Sequence, residues 1–373
     1  MLLKKIHTQD IAEVDAILPI IKIEKTIEII IVPNSRLTNN EQANIGFVID
    51  EEKILRILTE RYQNVSITEI NCEENLEELV KRKPDLVFSG VKYFFFENRN
   101  VWLNEYLDKF GISYIASGKE SLDNEFDKSV AKIILQKEKI KTADFFITNP
   151  GEHLTEKSIP IDFPLFIKPL TGGDSIGIDE NSIVFNFKSY TEKVLDIKQN
   201  QNSSSLVETY LAGNEYSVGI LENSFNGIIT AMPIEIIVEK NLNGHRILDF
   251  DVKRNDNERV IFVNDAKIFN KLSKMAIDSF RALGGKSLGR IDIKMDNLDV
   301  PHFIEANFMP GLSEGYFYKS CQLNLGISYE EMIYIITNNG LISVTKNKVK
   351  SPKSQPINFK IWPPTPKLNP LFF

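Results

Sequence analysis

The sequence has few residues that could form disulfide bonds or bind zinc. Its 373 residues include two cysteines, Cys72 and Cys321, and four scattered histidines. Two cysteines this far apart form neither a metal motif nor a disulfide framework, and the histidines lack the spacing of zinc ligands. The composition therefore points away from disulfide-rich secreted proteins and from zinc enzymes.

Long apolar runs are also missing. The run TIEIIIV at residues 26–32 has the length of a strand, and no run reaches the roughly 20 residues that a membrane-spanning helix needs. The first residues, MLLKKIHTQDIAEV, contain early acidic side chains and no cleavage-site pattern, so they do not resemble a signal peptide. We therefore expect a cytoplasmic protein that has no membrane partner.

The sequence does not carry an excess of positive charge. Its formal net charge is −7, which argues against nucleic acid as the main partner because binding to a phosphate backbone needs a basic surface. Apolar residues make up 42% of the chain, an ordinary value for a globular protein. At this length the chain can form two or three domains with their own cores.

The N-terminal third has the pattern of a parallel α/β unit. Apolar runs at residues 26–32 and 84–90 are typical of buried strands. Amphipathic helical patterns lie at residues 51–62, 75–82 and 101–111. Strands that alternate with helices predict a parallel sheet, because the helices supply the crossover connections.

Residues 288–311 contain the strongest candidate for a functional site. The segments IDIKM and FIEANF both alternate between apolar and polar residues, which predicts two strands joined by the turn MDNLDV. If these strands pair, Asp292, Glu305 and Asn307 converge as hard oxygen ligands, with Arg290 beside them. Such donors suit Mg²⁺ that is held partly by substrate phosphates. The alternative is an ordinary hairpin whose acidic residues are only solvated.

The segments GRIDIKMD and FIEANFMPG also resemble the C-terminal signature of ATP-grasp enzymes, most closely the D-alanine–D-alanine ligase branch. That family uses ATP to activate a carboxylate as an acyl phosphate, which an amine then attacks. The resemblance implies an α/β fold in which an N-terminal parallel domain precedes two α+β subdomains that clamp ATP between them. The expected parts are an N-terminal domain at 1–123, a central subdomain at 124–205, a C-terminal subdomain with the metal site at 206–344 and a Pro-rich basic tail at 345–373.

Two motifs in the central part match the phosphate-binding region of that family. The helical pattern at residues 124–140 resembles the helix that opens the ATP-grasp region, which implies that Lys128 contacts phosphate. The segment FPLFIKPLTGGDSIGI at 163–178 predicts a strand and a loop whose backbone N–H groups can approach phosphate. The resemblance assigns a phosphate lysine to Lys168 and the loop to Gly172, Gly173, Asp174, Ser175, Ile176 and Gly177. From the residues alone, a surface lysine and a simple glycine turn explain both motifs.

The segment SLVETYLAGNEYSVGIL, which follows the linker-like run NQNSSS, resembles the adenine and ribose region. The resemblance implies that Glu215 binds the ribose hydroxyls, since a carboxylate accepts paired hydroxyl hydrogen bonds well. It implies that the adenine contacts come from Glu208, Thr209, Tyr210 and Leu211. Without the resemblance, both glutamates would be interpreted as solvated acids at strand ends.

The resemblance also implies a set of catalytic and substrate residues. Lys253 lies in a polar segment, 234–263, that aligns with the mobile loop of the family. Ser175 is expected near the γ-phosphate, and Arg290 and the backbone amide of Gly311 near the tetrahedral oxyanion. Substrate contacts are expected from the residues at three positions where the family usually has other residue types, namely Arg254, Tyr316 and Phe317.

Both predicted amino-acid pockets depart from the D-alanine pattern. The first strand runs into VPNSRLTNNEQ without a glycine turn, and SGVKYFFFENRN replaces a His-Gly loop. Its three phenylalanines favour a core position over a ligand contact. Asp174 replaces a serine that helps to lock the closed loop in the family. The sequence therefore predicts substrates other than a pair of D-alanines.

We predict an ATP-grasp ligase that uses ATP and Mg²⁺, with Mn²⁺ as an alternative metal. It would join a small-molecule carboxylate and amine, an amino acid or a small peptide, through an acyl phosphate. Alternatives are a D-alanine–D-alanine ligase for cell-wall synthesis, a non-catalytic ATP-binding regulator, and a kinase-like enzyme that phosphorylates a stable acceptor. Homologues are often dimers, so the resemblance also allows a homodimer.

Overall fold

The computed structural model describes residues 22–32, 43–47, 49–173, 175–241 and 244–347. The side chains of residues 43, 44, 250 and 343–347 are not part of this description. Asp174, the glycine-free stretch 33–42 and residues 348–373 of the predicted tail therefore lie outside the described residues.

The first sheet is parallel, as predicted, with the strand order β3-β1-β4-β7. Its strands are β1 (Ile23–Ile31), β3 (Tyr62–Glu69), β4 (Leu86–Phe88) and β7 (Ser113–Tyr114). The connecting helices are α1 (Glu51–Arg61), α2 (Glu73–Arg82) and α3 (Leu103–Phe110). The predicted strands and helices of this region are thus confirmed. Ile27, Ile29 and Phe88 are completely buried, which explains the continuous apolar runs of a sheet covered on both faces.

A small antiparallel sheet carries the three consecutive phenylalanines. It contains β2 (Ala43–Ile45), β5 (Val91–Phe96) and β6 (Arg99–Trp102). Phe94 and Phe96 are buried and stack on each other at 5.3 Å between ring centroids, whereas Phe95 points to the other face and is exposed. The expected core position is confirmed for Phe94 and Phe96.

The helix predicted over residues 124–140 is wrong in its continuity. The chain forms α4 (Lys119–Phe126) and α5 (Lys128–Lys137), separated by Asp127 in an extended conformation. The Asp127 carboxylate accepts hydrogen bonds from the backbone N–H groups of Ser129 and Val130 and so caps α5. An aspartate favours this N-cap position, which competes with a helix interior.

The second sheet is antiparallel and forms the central part of the molecule, with the order β10-β9-β11-β8. Its strands are β8 (Phe145–Thr148), β9 (Leu165–Pro169), β10 (Ile183–Val184) and β11 (Ser205–Thr209). Helix α6 (Phe187–Gln201) packs on it through Val194 and Ile197, which are buried with Ile167 and Val207. Because α6 extends to Gln201 and β11 begins at Ser205, the predicted linker is shorter than expected.

The third sheet is antiparallel with the order β14-β13-β12-β15-β16. Its strands are β12 (Glu215–Glu222), β13 (Ile229–Ile237), β14 (Arg259–Phe262), β15 (Leu288–Met295) and β16 (Pro301–Asn307). The helices of this region are α7 (Phe250–Arg254), α8 (Ala266–Ala282), α9 (Tyr316–Leu325) and α10 (Tyr329–Asn347). Helices α8 and α9 pack on the sheet, and α10 returns to contact α1, β4 and β7.

The three main sheets confirm the predicted α/β class, and β15 and β16 form the predicted hairpin. None of the helices in the described part of the chain has the length and apolarity needed to cross a bilayer.

Candidate functional site

A cavity of about 360 Å³ lies between the central sheet and the five-stranded sheet. Strands β9 and β11 line one side, and β12, β15 and β16 line the other. Most of the predicted ATP-site residues line this cavity together with one predicted catalytic lysine and two predicted metal ligands. They are Lys128, Lys168, Gly172, Gly173, Ser175, Ile176, Glu208, Thr209, Tyr210, Leu211, Glu215, Lys253, Asp292 and Glu305.

Other predicted site residues that the structure describes are not among the residues lining the cavity. They are Gly177, Arg254, Arg290, Asn307, Gly311, Tyr316 and Phe317. Phe317 is 1% exposed and belongs to the hydrophobic core, which does not fit the predicted substrate contact. Its place in α9 explains the difference, because its helical face packs against the sheet and not toward the cavity.

The glycine loop closes one end of the cavity. Gly172, Ser175 and Gly177 have positive φ angles of 96°, 58° and 77°, so the loop turns sharply at three points. The Lys128 ammonium donates to the Gly172 carbonyl oxygen at 2.5 Å, which holds the lysine beside the loop. The Ser175 hydroxyl donates to the Leu248 carbonyl oxygen at 3.0 Å. Ser175 therefore ties the glycine loop to the segment that carries Lys253.

A buried group of charges lies behind the loop. The Glu208 carboxylate contacts the ammonium groups of Lys132 and Lys168, and all three side chains are almost completely buried. Burial by itself raises the pKa of a carboxyl, but the two ammonium groups outweigh it and lower the pKa of Glu208 to about 2. Glu208 is therefore ionised at neutral pH. The sequence resemblance predicts backbone contacts to adenine at this residue, and the structure shows that its side chain joins two lysines.

The hinge after β11 has only some of its backbone groups free. The Thr209 N–H donates to the Asp144 carbonyl oxygen at 3.0 Å, and the Tyr210 N–H donates to the Pro164 carbonyl oxygen at 3.1 Å. The Leu211 N–H has no such partner among the residues that the structure describes. An adenine ring that enters here can therefore use the Leu211 N–H.

The hairpin brings its polar residues together as the alternation predicted. Arg290 pairs with Asn307 across the strands, and Asp292 pairs with Glu305. Arg290 donates twice to Asp292, from Nε to Oδ1 at 3.0 Å and from Nη2 to Oδ2 at 2.9 Å. The Ser217 hydroxyl donates to Oδ1 of Asp292 at 2.7 Å. Arg290 and Asp292 can contact each other because side chains two residues apart share one face of a strand.

Glu305 is the focus of the positive charges in the cavity. Burial raises the pKa of this carboxyl, but Lys128, Lys253, Lys168 and Arg290 outweigh burial and hold the pKa below its usual range. Among the described residues, no donor lies within hydrogen-bonding distance of its oxygens, which leaves them available to a ligand. The four cations suit an anionic ligand such as a chain of phosphates.

The donor set of the hairpin fits a divalent cation that also binds phosphate. Within the described ranges, no group of three or more His, Cys, Asp or Glu side chains could enclose a metal by itself. The hairpin provides two carboxylates and the Asn307 amide. Mg²⁺ is commonly held by one or two carboxylates together with substrate phosphates and water. The residues therefore fit a metal whose remaining ligands are phosphate oxygens and water.

The segment after α7 is fastened to helix α9. The Tyr316 hydroxyl donates to Oε1 of Glu258 at 2.6 Å, and Lys319 Nζ lies 3.1 Å from Oδ1 of Asp256. Burial, reinforced by the contact with Glu258, raises the pKa of Tyr316. Its ring centroid lies 5.8 Å from the Arg290 guanidinium. These contacts connect the segment after α7, the helix that carries Lys253, with the end of the cavity near the hairpin.

Sequence reasoning missed three cations of the site. Lys294 donates to Oε2 of Glu215 at 2.8 Å, and its position two residues after Asp292 could have revealed it. Lys132 lies four residues after Lys128, on the same face of α5. Arg246 lines the cavity from an irregular segment, where no periodicity gives a signal.

The family model described as "D-ala D-ala ligase C-terminus" matches residues 134–338, more than half of the chain. The chain belongs to the D-alanine–D-alanine ligase family. The predicted family is thus confirmed. A member of this family is an ATP-grasp enzyme that forms a carbon–nitrogen bond, uses ATP and depends on a metal.

Individual members of the D-alanine–D-alanine ligase family support this result. The chain is 24% identical over 303 residues to D-alanine–D-alanine ligase A of Bacillus cereus, covering 80% of this chain and 94% of that protein. It is 26% identical over 291 residues to the D-alanine–D-alanine ligase of Vesicomyosocius okutanii, covering 74% of this chain and 92% of that protein.

Solved structures of D-alanine–D-alanine ligases share the fold. The enzyme of Bacillus anthracis complexed with ATP superimposes with a TM-score of 0.63 at 18% identity, covering 87% of this chain and 99% of that chain. The enzyme of Coxiella burnetii gives a TM-score of 0.58 at 15% identity, covering 87% and 96%. These neighbours agree with the predicted fold.

Proposed function

We propose that the protein is a D-alanine–D-alanine ligase. The observation that carries the proposal is the arrangement of Lys128, Lys168 and Lys253 around the Glu305 carboxylate in one cavity. Such an arrangement suits a polyphosphate that reacts with a carboxylate. The relatives that bear this enzyme name align over most of their length, which supports the D-alanine pair as substrate.

The expectation of a different substrate loses part of its support. It depended on both predicted amino-acid pockets, and Tyr316 and Phe317 were the expected contacts of the second pocket. Phe317 is buried in the core, and the Tyr316 hydroxyl is engaged by Glu258. Neither side chain is therefore free to select a substrate.

In this proposal the nucleotide occupies the cavity between the two antiparallel sheets. Lys128 and Lys168 hold phosphates, and the backbone of the glycine loop 172–177 covers the γ-phosphate. Adenine contacts the hinge at Leu211, and Glu215 accepts hydrogen bonds from the ribose hydroxyls. Lys294 holds Glu215 in position through its 2.8 Å contact. The loop residue Asp174 belongs to the same proposal, from the sequence resemblance alone.

Asp292, Glu305 and Asn307 would hold the metal, which we propose to be Mg²⁺. When bound, it supplies Lewis acidity at the phosphate oxygens. Arg290 holds Asp292 in place by its two hydrogen bonds, so the carboxylate keeps one orientation. Glu305 lines the cavity, so its carboxylate would be accessible to the metal.

The chemistry begins when the carboxylate of one D-alanine attacks the γ-phosphorus and ADP leaves, which gives an acyl phosphate. The amine of the second D-alanine then attacks the acyl carbon, and phosphate leaves as the amide forms. Lys253 and Ser175 shield and orient the transferred phosphate, and Arg254 lies on the same closing segment. The Arg290 guanidinium and the Gly311 amide stabilise the tetrahedral oxyanion, where a preorganised donor contributes about 3 kcal/mol.

We also propose that each main sheet marks one part of the enzyme. The N-terminal domain would cover residues 1–123, the central subdomain 124–205 and the C-terminal subdomain 206–344, followed by the tail 345–373. Each of the first three parts contains one main sheet, which supports these boundaries. A homodimer stays a prediction from the resemblance. A cytoplasmic location stays a prediction from the short apolar runs and the N-terminal sequence.

The test is ADP release with Mg-ATP and D-alanine, with L-alanine and other D-amino acids as comparison, and mass spectrometry of the product. We expect D-alanine-dependent ADP release and a dipeptide with the mass of two alanines minus water. Glu305→Gln should abolish turnover, whereas Asp299→Asn in the exposed turn of the same hairpin should keep it. ADP release with a phosphorylated acceptor and no dipeptide would support a kinase-like enzyme. ATP binding without turnover would support the regulator.

A further inference from the structure

Lys132 is a completely buried lysine next to the proposed ATP site. It lies on α5, one helical turn after Lys128, and its side chain is 0% exposed. Its ammonium contacts Oε1 of Glu208 and the hydroxyl of Thr142. It does not line the cavity, whereas Lys128, Lys168 and Glu208 do. Lys132 can therefore not touch a bound nucleotide, and it acts on one through its charge and through its neighbours.

Glu208 connects Lys132 with Lys168. Its second oxygen, Oε2, lies 2.8 Å from Lys168 Nζ. With both lysines protonated, Lys132, Lys168 and Glu208 together carry one net positive charge. Without Lys132, the Glu208 carboxylate would neutralise Lys168 and the group would carry none. Because the group is buried, water screens these charges weakly and the difference persists in the cavity.

We propose that Lys132 is a positioning residue that neutralises the Glu208 carboxylate, so that the Lys168 ammonium remains available to the phosphates of ATP. This inference rests on the proposed function, which assigns ATP to the cavity. The protonation of the group agrees with it, since both ammonium groups act together to hold the pKa of Glu208 at about 2 against the effect of burial. Burial lowers the pKa of Lys132, and the contact with Glu208 opposes that effect.

The first experiment compares nucleotide binding to the full-length protein and to Lys132→Met. Dissociation constants are measured for ATP, ADP and adenosine by calorimetry or competition. Removing a unit charge about 8 Å from a phosphate, at an effective dielectric constant of about 20, weakens binding about thirtyfold, or about 2 kcal/mol. We expect this loss for ATP and ADP and little change for adenosine, which has no phosphate. An equal loss for all three ligands would indicate a merely structural role and would overturn the inference.

The chain offers a matched control in Lys193. This lysine of α6 is also almost completely buried and contacts two acids, Asp179 at 2.9 Å and Asp196 at 3.2 Å, but it does not line the cavity. Lys193→Met should lower stability like Lys132→Met. Its ratio of adenosine to ATP dissociation constants should equal that of the wild type. A changed ratio in this control would mean that the readout reports general destabilisation.

The second experiment restores the charge balance. The double variant Lys132→Met with Glu208→Gln again carries one positive charge on Lys168, so its preference for ATP over adenosine should return to within a few-fold of the wild type. If the double variant prefers ATP as weakly as Lys132→Met alone, charge balance is not the role of Lys132. Should Lys132→Met not fold, the single variant Glu208→Gln is measured in its place. It should prefer ATP over adenosine at least as strongly as the wild type, and a weaker preference would overturn the inference.

These experiments separate the inference from the proposed function. A wild-type protein that binds no ATP contradicts the proposed function. A wild type that binds ATP, together with an unchanged preference in Lys132→Met, contradicts only the role of Lys132.

Discussion

Arg290 and Asp292 lie two residues apart on β15 and form a two-pronged ion pair at 3.0 and 2.9 Å, within a cluster that is mostly buried. The pair fixes the carboxylate that faces Glu305 across the hairpin. Burial alone lowers the pKa of Arg290, but Asp292 raises it, so the guanidinium stays charged. The hairpin thus combines a structural ion pair with the proposed metal ligands.

Arg290→Met should destabilise the protein by about 3 kcal/mol, because removal of one partner leaves a buried carboxylate uncompensated. The difference in the free energy of unfolding between the two proteins, measured by urea unfolding, checks this value. Arg290→Lys keeps the charge but not the two parallel hydrogen bonds, so it should recover only part of the stability. Full recovery in Arg290→Lys would show that charge alone matters.

Glu208 should make stability depend on pH in the acid range. Its pKa is about 2 in the folded protein against 4.5 for an ordinary glutamate. A lowered pKa stabilises the fold above the ordinary value by about 3 kcal/mol, and this contribution is lost as the pH falls from 4.5 toward 2. Between about pH 5 and about pH 3, the wild type should therefore lose stability more steeply than Glu208→Gln. The free energy of unfolding is measured by urea unfolding at each pH. An equal dependence on pH in the two proteins would contradict the prediction.

Asp127→Ala should weaken both the fold and ATP binding. The carboxylate caps α5, whose first residue is Lys128, and loss of such a cap costs about 1 kcal/mol. Because the helix start would fray, we also expect a higher KM for ATP. Asp265→Ala is the control. Asp265 also accepts hydrogen bonds from the backbone N–H groups two and three residues later and so caps α8, but it does not line the cavity. The control should lose similar stability without a change in KM, and a KM increase in both variants would exclude a local effect.

Tyr316→Phe should change stability and loop closure without changing substrate choice. The variant loses the 2.6 Å hydrogen bond to Glu258 and leaves that acid without its donor, which costs about 1–3 kcal/mol. Limited proteolysis within residues 254–258 should become faster. The ratio of kcat/KM for D-alanine to that for other amino acids should stay constant. A shifted ratio would restore Tyr316 as a substrate contact.

The sequence by itself determined the local structure and the order of the motifs. The alternation of Ile291, Asp292, Ile293 and Lys294 required one polar face on β15, because side chains on a strand alternate. The apolar runs and helical patterns of the first 123 residues required a parallel sheet. The order of Lys128, Lys168, Glu208 and Glu305 along the chain carried the family resemblance.

Only the tertiary structure decided which of these residues meet and which are buried. Asp127 interrupts a periodic helical pattern because its carboxylate caps the following helix. Phe317 is in the core because α9 packs on the sheet, although the motif position had suggested a substrate contact. Lys132, Lys168 and Glu208 come from three separate segments, and no local pattern links them. Their contact depends on packing between elements that are distant in the chain, which periodicity and spacing do not encode.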